Sequence, residues 1–127
     1  MHVLIIEDEP LIAMSIEDAL RDCGCDSFEV AISAAQATAA ARGRCPDLIT
    51  ADVRLAPGCG IEAVRTICGS KEIPVIFITA TAAEIELRRP GSIVVHKPFD
   101  HADIKAAFRL ATGHVAARLQ PPPRKAG

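Results

Sequence analysis

The sequence predicts an α/β protein: a doubly wound parallel sheet of five strands alternating with five helices. Three observations lead there. Short apolar runs such as Val3-Leu4-Ile5-Ile6 and Leu48-Ile49 recur along the chain, bounded by turn residues, as strands buried on both faces do. Between them lie stretches whose apolar residues recur at the three- and four-residue spacing of a helix face. The apolar runs also end in polar groups that a buried strand otherwise avoids, namely Glu7-Asp8, Asp52, Thr79 and Lys97.

The elements follow in order. Residues 3–6 form the first strand, with the acidic tip Glu7-Asp8-Glu9. Pro10 suits the first turn of a helix, whose buried face is Ile12, Ile16, Ala19, Leu20 and Cys23, and Gly24 ends it. Residues 27–31 set Phe28 and Val30 against Glu29, a half-exposed edge strand. Ser33 caps an Ala-rich helix running to about Arg42. Residues 48–52 are the third strand, followed by the loop Leu55-Ala56-Pro57-Gly58-Cys59-Gly60. Ile61, Val64, Ile67 and Cys68 mark a short helix stopped by Gly69. Residues 75–78 are the fourth strand, ending at Thr79. Residues 80–90 are weakly helical, with Glu84, Ile85 and Leu87 as their core. Residues 93–95 are the fifth strand. Asp100 caps the last helix, Phe99 and Ile104 are placed for a hydrophobic staple, and Ile104, Ala107, Phe108, Ala111 and Val115 form its stripe. The organisation expected is one domain over residues 1–118 and a flexible Pro-rich tail over 119–127.

Composition narrows the function. Half of the 127 residues are hydrophobic, but only four are Phe and none is Trp or Tyr, so the core is aliphatic. A net charge of -2 without a basic run before the last few residues argues against a nucleic-acid surface. No apolar stretch reaches membrane-spanning length and the N-terminus lacks the layout of a signal peptide, so a cytoplasmic location is expected. The five cysteines include no C-x-x-C pair and read as ordinary thiols. His2, His101 and His114 have no ligand-spaced partners and are read as surface residues.

Parallel strands carry all the polar strand ends to one edge of the sheet. Asp52 is a carboxylate at the tip of a buried strand, and such a charge needs water, a metal or a cation. Glu7, Asp8 and Asp52 form an all-oxygen set of the kind that suits Mg²⁺. Lys97 supplies a point charge for an anion, and Thr79 supplies a hydroxyl donor for a phosphoryl oxygen. The chemistry this points to is attack by Asp52 on phosphorus to give an acyl phosphate.

The set Ile-Ile-Glu7-Asp8-Glu9-Pro10, Asp52, Thr79-Ala80 and Lys97-Pro98-Phe99, in this order at strand ends, resembles the receiver domain of bacterial two-component response regulators over residues 2–116. The Gly-rich loop and the Val-Ile-Phe-Ile-Thr-Ala strand are similar to receivers of alphaproteobacterial general-stress regulators. The resemblance implies a flavodoxin-like sheet of strand order 2-1-3-4-5. It implies that Asp52 accepts a phosphoryl group from a histidine kinase or histidine phosphotransfer protein. Mg²⁺ is then held by Asp8, by Glu7 mainly through water, by Asp52 and by the backbone carbonyl of Arg54. Thr79 and Lys97 engage the phosphoryl oxygens, and Lys97-Pro98 is cis as in the family. The groove at Leu11 to Ser15 is the implied kinase-docking face, and the helix 4–strand 5–helix 5 face is a possible homodimer surface. Arg54 and Thr81 occupy the two variable positions flanking the site, where they set the phosphoryl lifetime.

The chain departs from the family pattern at three places. Cys59 stands where Asp or Ser is common, the interval from Thr79 to Lys97 is short, and Val94 replaces the aromatic residue that moves with the Thr. The first functional reading is a stand-alone receiver, not an enzyme, that signals by phosphorylation-dependent protein binding to a downstream target without a DNA-binding domain. The rivals are a pseudo-receiver that no longer cycles phosphate and a Mg²⁺-dependent phosphohydrolase with an Asp nucleophile.

Overall fold

The computed structural model describes residues 1–55, 58–69 and 71–119, with side chains through residue 113. Pro57, the tail from residue 120, and the side chains of His114 and Val115 lie outside the described residues. The elements are β1 His2–Ile6, α1 Pro10–Asp22, β2 Ser27–Ala31, α2 Ala34–Gly43, β3 Leu48–Ala51, α3 Gly60–Cys68, β4 Val75–Thr79, α4 Ala83–Arg88, β5 Ile93–His96 and α5 His101–Leu119. The five strands are parallel in the order β2-β1-β3-β4-β5, which is the flavodoxin-like arrangement.

Alternation along the strands divides the core in two. Val3, Ile5, Leu48, Ile76, Ile78 and Val95 face α1 and α5, where they meet Ile16, Leu20, Ile104 and Ala107. Leu4, Ile6, Ile49, Ala51 and Phe77 face the other side, against Ala37, Ile61, Val64 and Ile85. The register pairs Ile6 with Ala51, Ala51 with Phe77, and Thr79 with His96, so the strands end at one level and the next residue of each chain segment enters the same rim.

Local chemistry sets the helix ends. Pro10 opens α1, and Gly24 takes φ +94° just beyond it. The Ser33 hydroxyl accepts the Gln36 N–H at 3.2 Å. Asp100 Oδ1 accepts the Asp103 N–H at 2.9 Å while Asp103 Oδ2 accepts the Asp100 N–H at 3.0 Å, a reciprocal box at the start of α5. Phe99 and Ile104 pack into the same cluster, as a staple requires.

Two sequence expectations are corrected. His2 is not on the surface: β1 begins at this residue, and pairing with Ser27 covers it to 5% exposure. Its Nδ1 lies 2.7 Å from the Ser27 hydroxyl, and its backbone N–H donates to Asp47. Leu87 is not core but 86% exposed, because a six-residue helix turns one narrow face to the sheet and only Ile85 lies on it. The edge position of β2 agrees with its half-buried Phe28 and exposed Glu29, while Val30 is exposed as well.

Thr50 is the polar exception in the central strand. Its Oγ1 is buried with no hydrogen-bond partner among the described residues, beside Ile5 and Ile76 on the neighbouring strands. Thr50→Val keeps the shape and removes the unsatisfied hydroxyl, so it is expected to raise unfolding stability by about 1 kcal/mol. Urea unfolding should show a higher midpoint at unchanged slope, and a lower midpoint would contradict the assignment.

Candidate functional site at the carboxyl edge of the sheet

Each strand delivers its polar group by ending. Glu7 and Asp8 leave β1, Asp52 leaves β3, Thr79 closes β4 and Lys97 leaves β5. The backbone continues the sheet ladder for one step beyond. Asp52 N–H donates to the Ile6 carbonyl at 3.0 Å and Lys97 N–H to the Thr79 carbonyl at 3.0 Å, which places these side chains at the same rim.

Lys97 is the centre of the charge arrangement. Its Nζ donates to Asp52 Oδ2 at 2.9 Å and forms an ion pair with Glu7 Oε1 at 2.8 Å. Glu7 is 1% exposed, and among the described residues the Lys97 ammonium is the partner that reaches its Oε1. Glu7 Oε2 accepts the Glu9 N–H at 3.2 Å. Burial pushes the Glu7 carboxyl above the ordinary carboxylate range, and Lys97 and the Glu9 amide only partly reverse this. Burial pulls the Lys97 ammonium down, but its bonds to Glu7 and Asp52 outweigh that and leave it above the usual lysine value.

Asp8 sits at the solvent side of the rim. Glu7, Asp8 and Asp52 each offer a carboxylate oxygen, all within 4.8 Å of one another. Three carboxylates against one ammonium leave excess negative charge, and one of them, Glu7, is buried. Both features fit a small hard cation with oxygen ligands, and Mg²⁺ completes such a set with waters and phosphate oxygens.

The loop after β3 holds Asp52 in place. Val53 and Leu55 are buried in the core, Arg54 N–H donates to Asp52 Oδ1 at 3.2 Å, and Arg54 bridges to Cys59 across the turn. Gly60 presses on it from α3. Its N–H donates to the Val53 carbonyl at 2.8 Å, and a Cβ there would lie 1.8 Å from the Asp52 carbonyl oxygen. On the far side, Thr79 Oγ1 accepts the Thr81 N–H at 3.1 Å and lies 3.3 Å from the Thr81 hydroxyl. The Lys97-Pro98 peptide is cis.

The structure therefore brings Glu7, Asp8, Asp52 and Lys97 together, with Arg54 bound to Asp52 through its amide and Thr79 at the end of the adjacent strand. His96 points away and is exposed, and Val94 is half-buried against the α3 side of the sheet. Sequence reasoning did not find the Gly60 contact, although the Gly-x-Gly spacing at Gly58 and Gly60 marked the loop. Nor did it find the contacts of Arg88 with Cys59 and Glu62, which join residues distant in the chain.

Residues 3–109 match the family model for the response regulator receiver domain. The phyllosphere-induced regulator PhyR of Methylorubrum extorquens is 39% identical over 114 residues, covering 87% of this chain and 43% of PhyR. The chain thus spans less than half of that regulator. The solution structure of the PhyR receiver domain from Erythrobacter litoralis superposes with a TM-score of 0.79 at 39% identity, covering 98% of this chain and 95% of that one. The receiver domain of a sensor histidine kinase from Pseudomonas aeruginosa, solved with a magnesium ion in its active-site cleft, gives a TM-score of 0.74 at 27% identity over 88% of this chain and 97% of that one. The Glu7, Asp8 and Asp52 cluster is the acidic set typical of the receiver magnesium site.

Proposed function

The chain belongs to the response regulator receiver family, and from that premise we propose that it accepts a phosphoryl group on Asp52 and signals by phosphorylation-dependent protein binding. The observation that carries this reading is the Asp52 carboxylate at the tip of β3, 2.9 Å from Lys97 Nζ and within reach of Glu7 and Asp8. The donor is a phosphohistidine on a histidine kinase or phosphotransfer protein. An Asp52 oxygen forms the new O–P bond as the N–P bond breaks, and the freed imidazole keeps the electron pair and takes a proton.

Asp8, Asp52 and the Arg54 carbonyl would hold the metal, and Glu7 would act through water. Bound Mg²⁺ supplies positive charge for the transferring group. Lys97 moves from bridging Glu7 and Asp52 to holding a phosphoryl oxygen. Thr79 exchanges its contact with Thr81 for a hydrogen bond to another. Arg54 and Thr81 flank the group and set its lifetime, so exchanging both residues for other side chains is expected to change the dephosphorylation rate. An unchanged rate would remove that role.

The kinase-docking face is α1 at Leu11 to Ser15, where Leu11 and Met14 are exposed. The downstream protein or a second copy meets the α4-β5-α5 face, where Leu87 and Leu110 are exposed. Among the described residues, no helix is long and apolar enough to cross a membrane.

The test is incubation with Mg²⁺ and acetyl phosphate, or with a cognate kinase. An acid-stable, base-labile phosphoryl adduct should form and be absent in Asp52→Asn. No adduct from either donor would overturn the reading in favour of a module that does not cycle phosphate.

A further inference from the structure

We propose that Arg88 is a positioning residue that couples α4 to the Asp52 loop through the first turn of α3. The inference rests on Asp52 being the phosphoacceptor and names a route by which occupancy of that site reaches the surface.

The contacts form a continuous path. The Asp52 carbonyl lies against the Gly60 Cα, and the Gly60 N–H is tied to Val53. Gly60 is the first residue of α3, Cys59 precedes it, and Glu62 is in the first turn. Arg88, at the end of α4, reaches across to both. Its guanidinium pairs with Glu62, and its Nη1 lies 3.6 Å from Cys59 Sγ and 3.1 Å from Glu84 Oε1 of its own helix. The planar fork of arginine serves Glu62 and Glu84 together, which the point charge of a lysine cannot do.

The other anchors of α4 are apolar or face the sheet: Ile85 lies in the same core cluster as Ile61 and Val64 of α3. Ile85 is buried in the core, and Arg89 stacks over the Phe77 ring at 5.6 Å. Arg88 is the polar anchor that ties α4 to the first turn of α3 through Cys59 and Glu62. That turn cannot stay fixed when the Asp52 carbonyl moves, because no free space separates them. A shift of the Asp52–Arg54 loop on metal and phosphoryl loading is transmitted to α4 through this clamp. Linkage requires the reverse: loosening the clamp changes affinity at Asp52 by the same factor.

The experiment is amide hydrogen exchange of α4, with the protein free and loaded with Mg²⁺ and beryllofluoride, alongside the beryllofluoride affinity. Exposed ion pairs are individually weak, so the effect is modest. Loading of the wild type is expected to change α4 exchange by about fivefold, at the low end of allosteric couplings. Arg88→Met and Glu62→Gln should each abolish most of that response and shift the beryllofluoride affinity by a matching factor, and the double variant should lose no more than either single one. Arg88→Lys should restore little. Arg65→Gln, which removes the other partner of Glu62, should behave as wild type. A wild type whose α4 ignores loading, or an Arg88→Met protein that responds fully, overturns the coupling and leaves the phosphoacceptor intact. A wild type that binds no beryllofluoride and forms no Asp52 adduct overturns both. Thermal melts confirm that the variants fold, and Glu62→Gln provides an independent break of the same contact.

Discussion

Gly60→Ala is expected to destabilise the protein by about 3 kcal/mol or more, beyond the usual range for a glycine in a helix. The reason is contact rather than backbone conformation. A Cβ at Gly60 falls 1.8 Å from the Asp52 carbonyl oxygen and 2.7 Å from its carbonyl carbon, and both are backbone atoms without a rotamer to yield. Relief requires α3 to move away or the Asp52 loop to shift, and the first breaks the Gly60 to Val53 hydrogen bond. Urea unfolding measures the loss. Gly43→Ala serves as the contrast, since nothing lies within 4 Å of a Cβ there, and it should be close to neutral. A Gly60→Ala protein within about 1 kcal/mol of wild type would rule out the close packing of α3 on the Asp52 loop.

Lys97→Met is expected to cost about 3–5 kcal/mol near neutral pH, the range for removing one partner of a buried ion pair. Glu7 would keep its burial and its proximity to Asp52 while losing its cation. The pH dependence follows from the direction of the shift. Glu7 already has a raised pKa, and without Lys97 it rises further. A carboxyl raised in the folded state adds stability below its unfolded pKa and loses it as pH rises through the folded one. The deficit of Lys97→Met should therefore be small at about pH 4 and grow toward pH 8. In the wild type, the raised pKa of Lys97 means its contribution is present below the ordinary lysine value and is lost only as pH rises through the folded one. Under the proposed metal site, Mg²⁺ should restore more stability to the variant than to wild type, because in the wild type it would have to compete with the ammonium for Asp52. Equal stability of the two proteins at pH 8 would show that Lys97 does not neutralise Glu7.

The two predictions probe opposite walls of one site. Gly60 acts through shape, by bringing α3 against the main chain of Asp52. Lys97 acts through charge, by making a buried carboxylate next to another carboxylate tolerable. The same ammonium that stabilises the metal-free site is the one that the proposed chemistry places on the phosphoryl oxygens.

The strands, their alternation with helices and the rim of Glu7, Asp8, Asp52, Thr79 and Lys97 were legible because each depends on local signals. Apolar runs mark strands buried on both faces, Ser33 and Asp100 mark helix starts, and polar residues at the ends of apolar runs mark the edge where parallel strands finish. Leu87 was misread because its burial depends on how few residues of α4 face the sheet, which a weak periodicity does not reveal. His2 was misread because its cover comes from Ser27 and Asp47, distant in the chain.

By itself, then, the sequence determined the fold class, the family and the polar residues gathered at the strand ends, since period, caps and strand-end polarity are properties of short segments. Tertiary structure alone decided that Lys97 bridges Asp52 and Glu7, that Gly60 lies against the Asp52 carbonyl, and that Arg88 spans from α4 to Cys59 and Glu62. Those contacts depend on how layers pack and where helices end, and close packing between separate elements leaves no periodic trace in the chain.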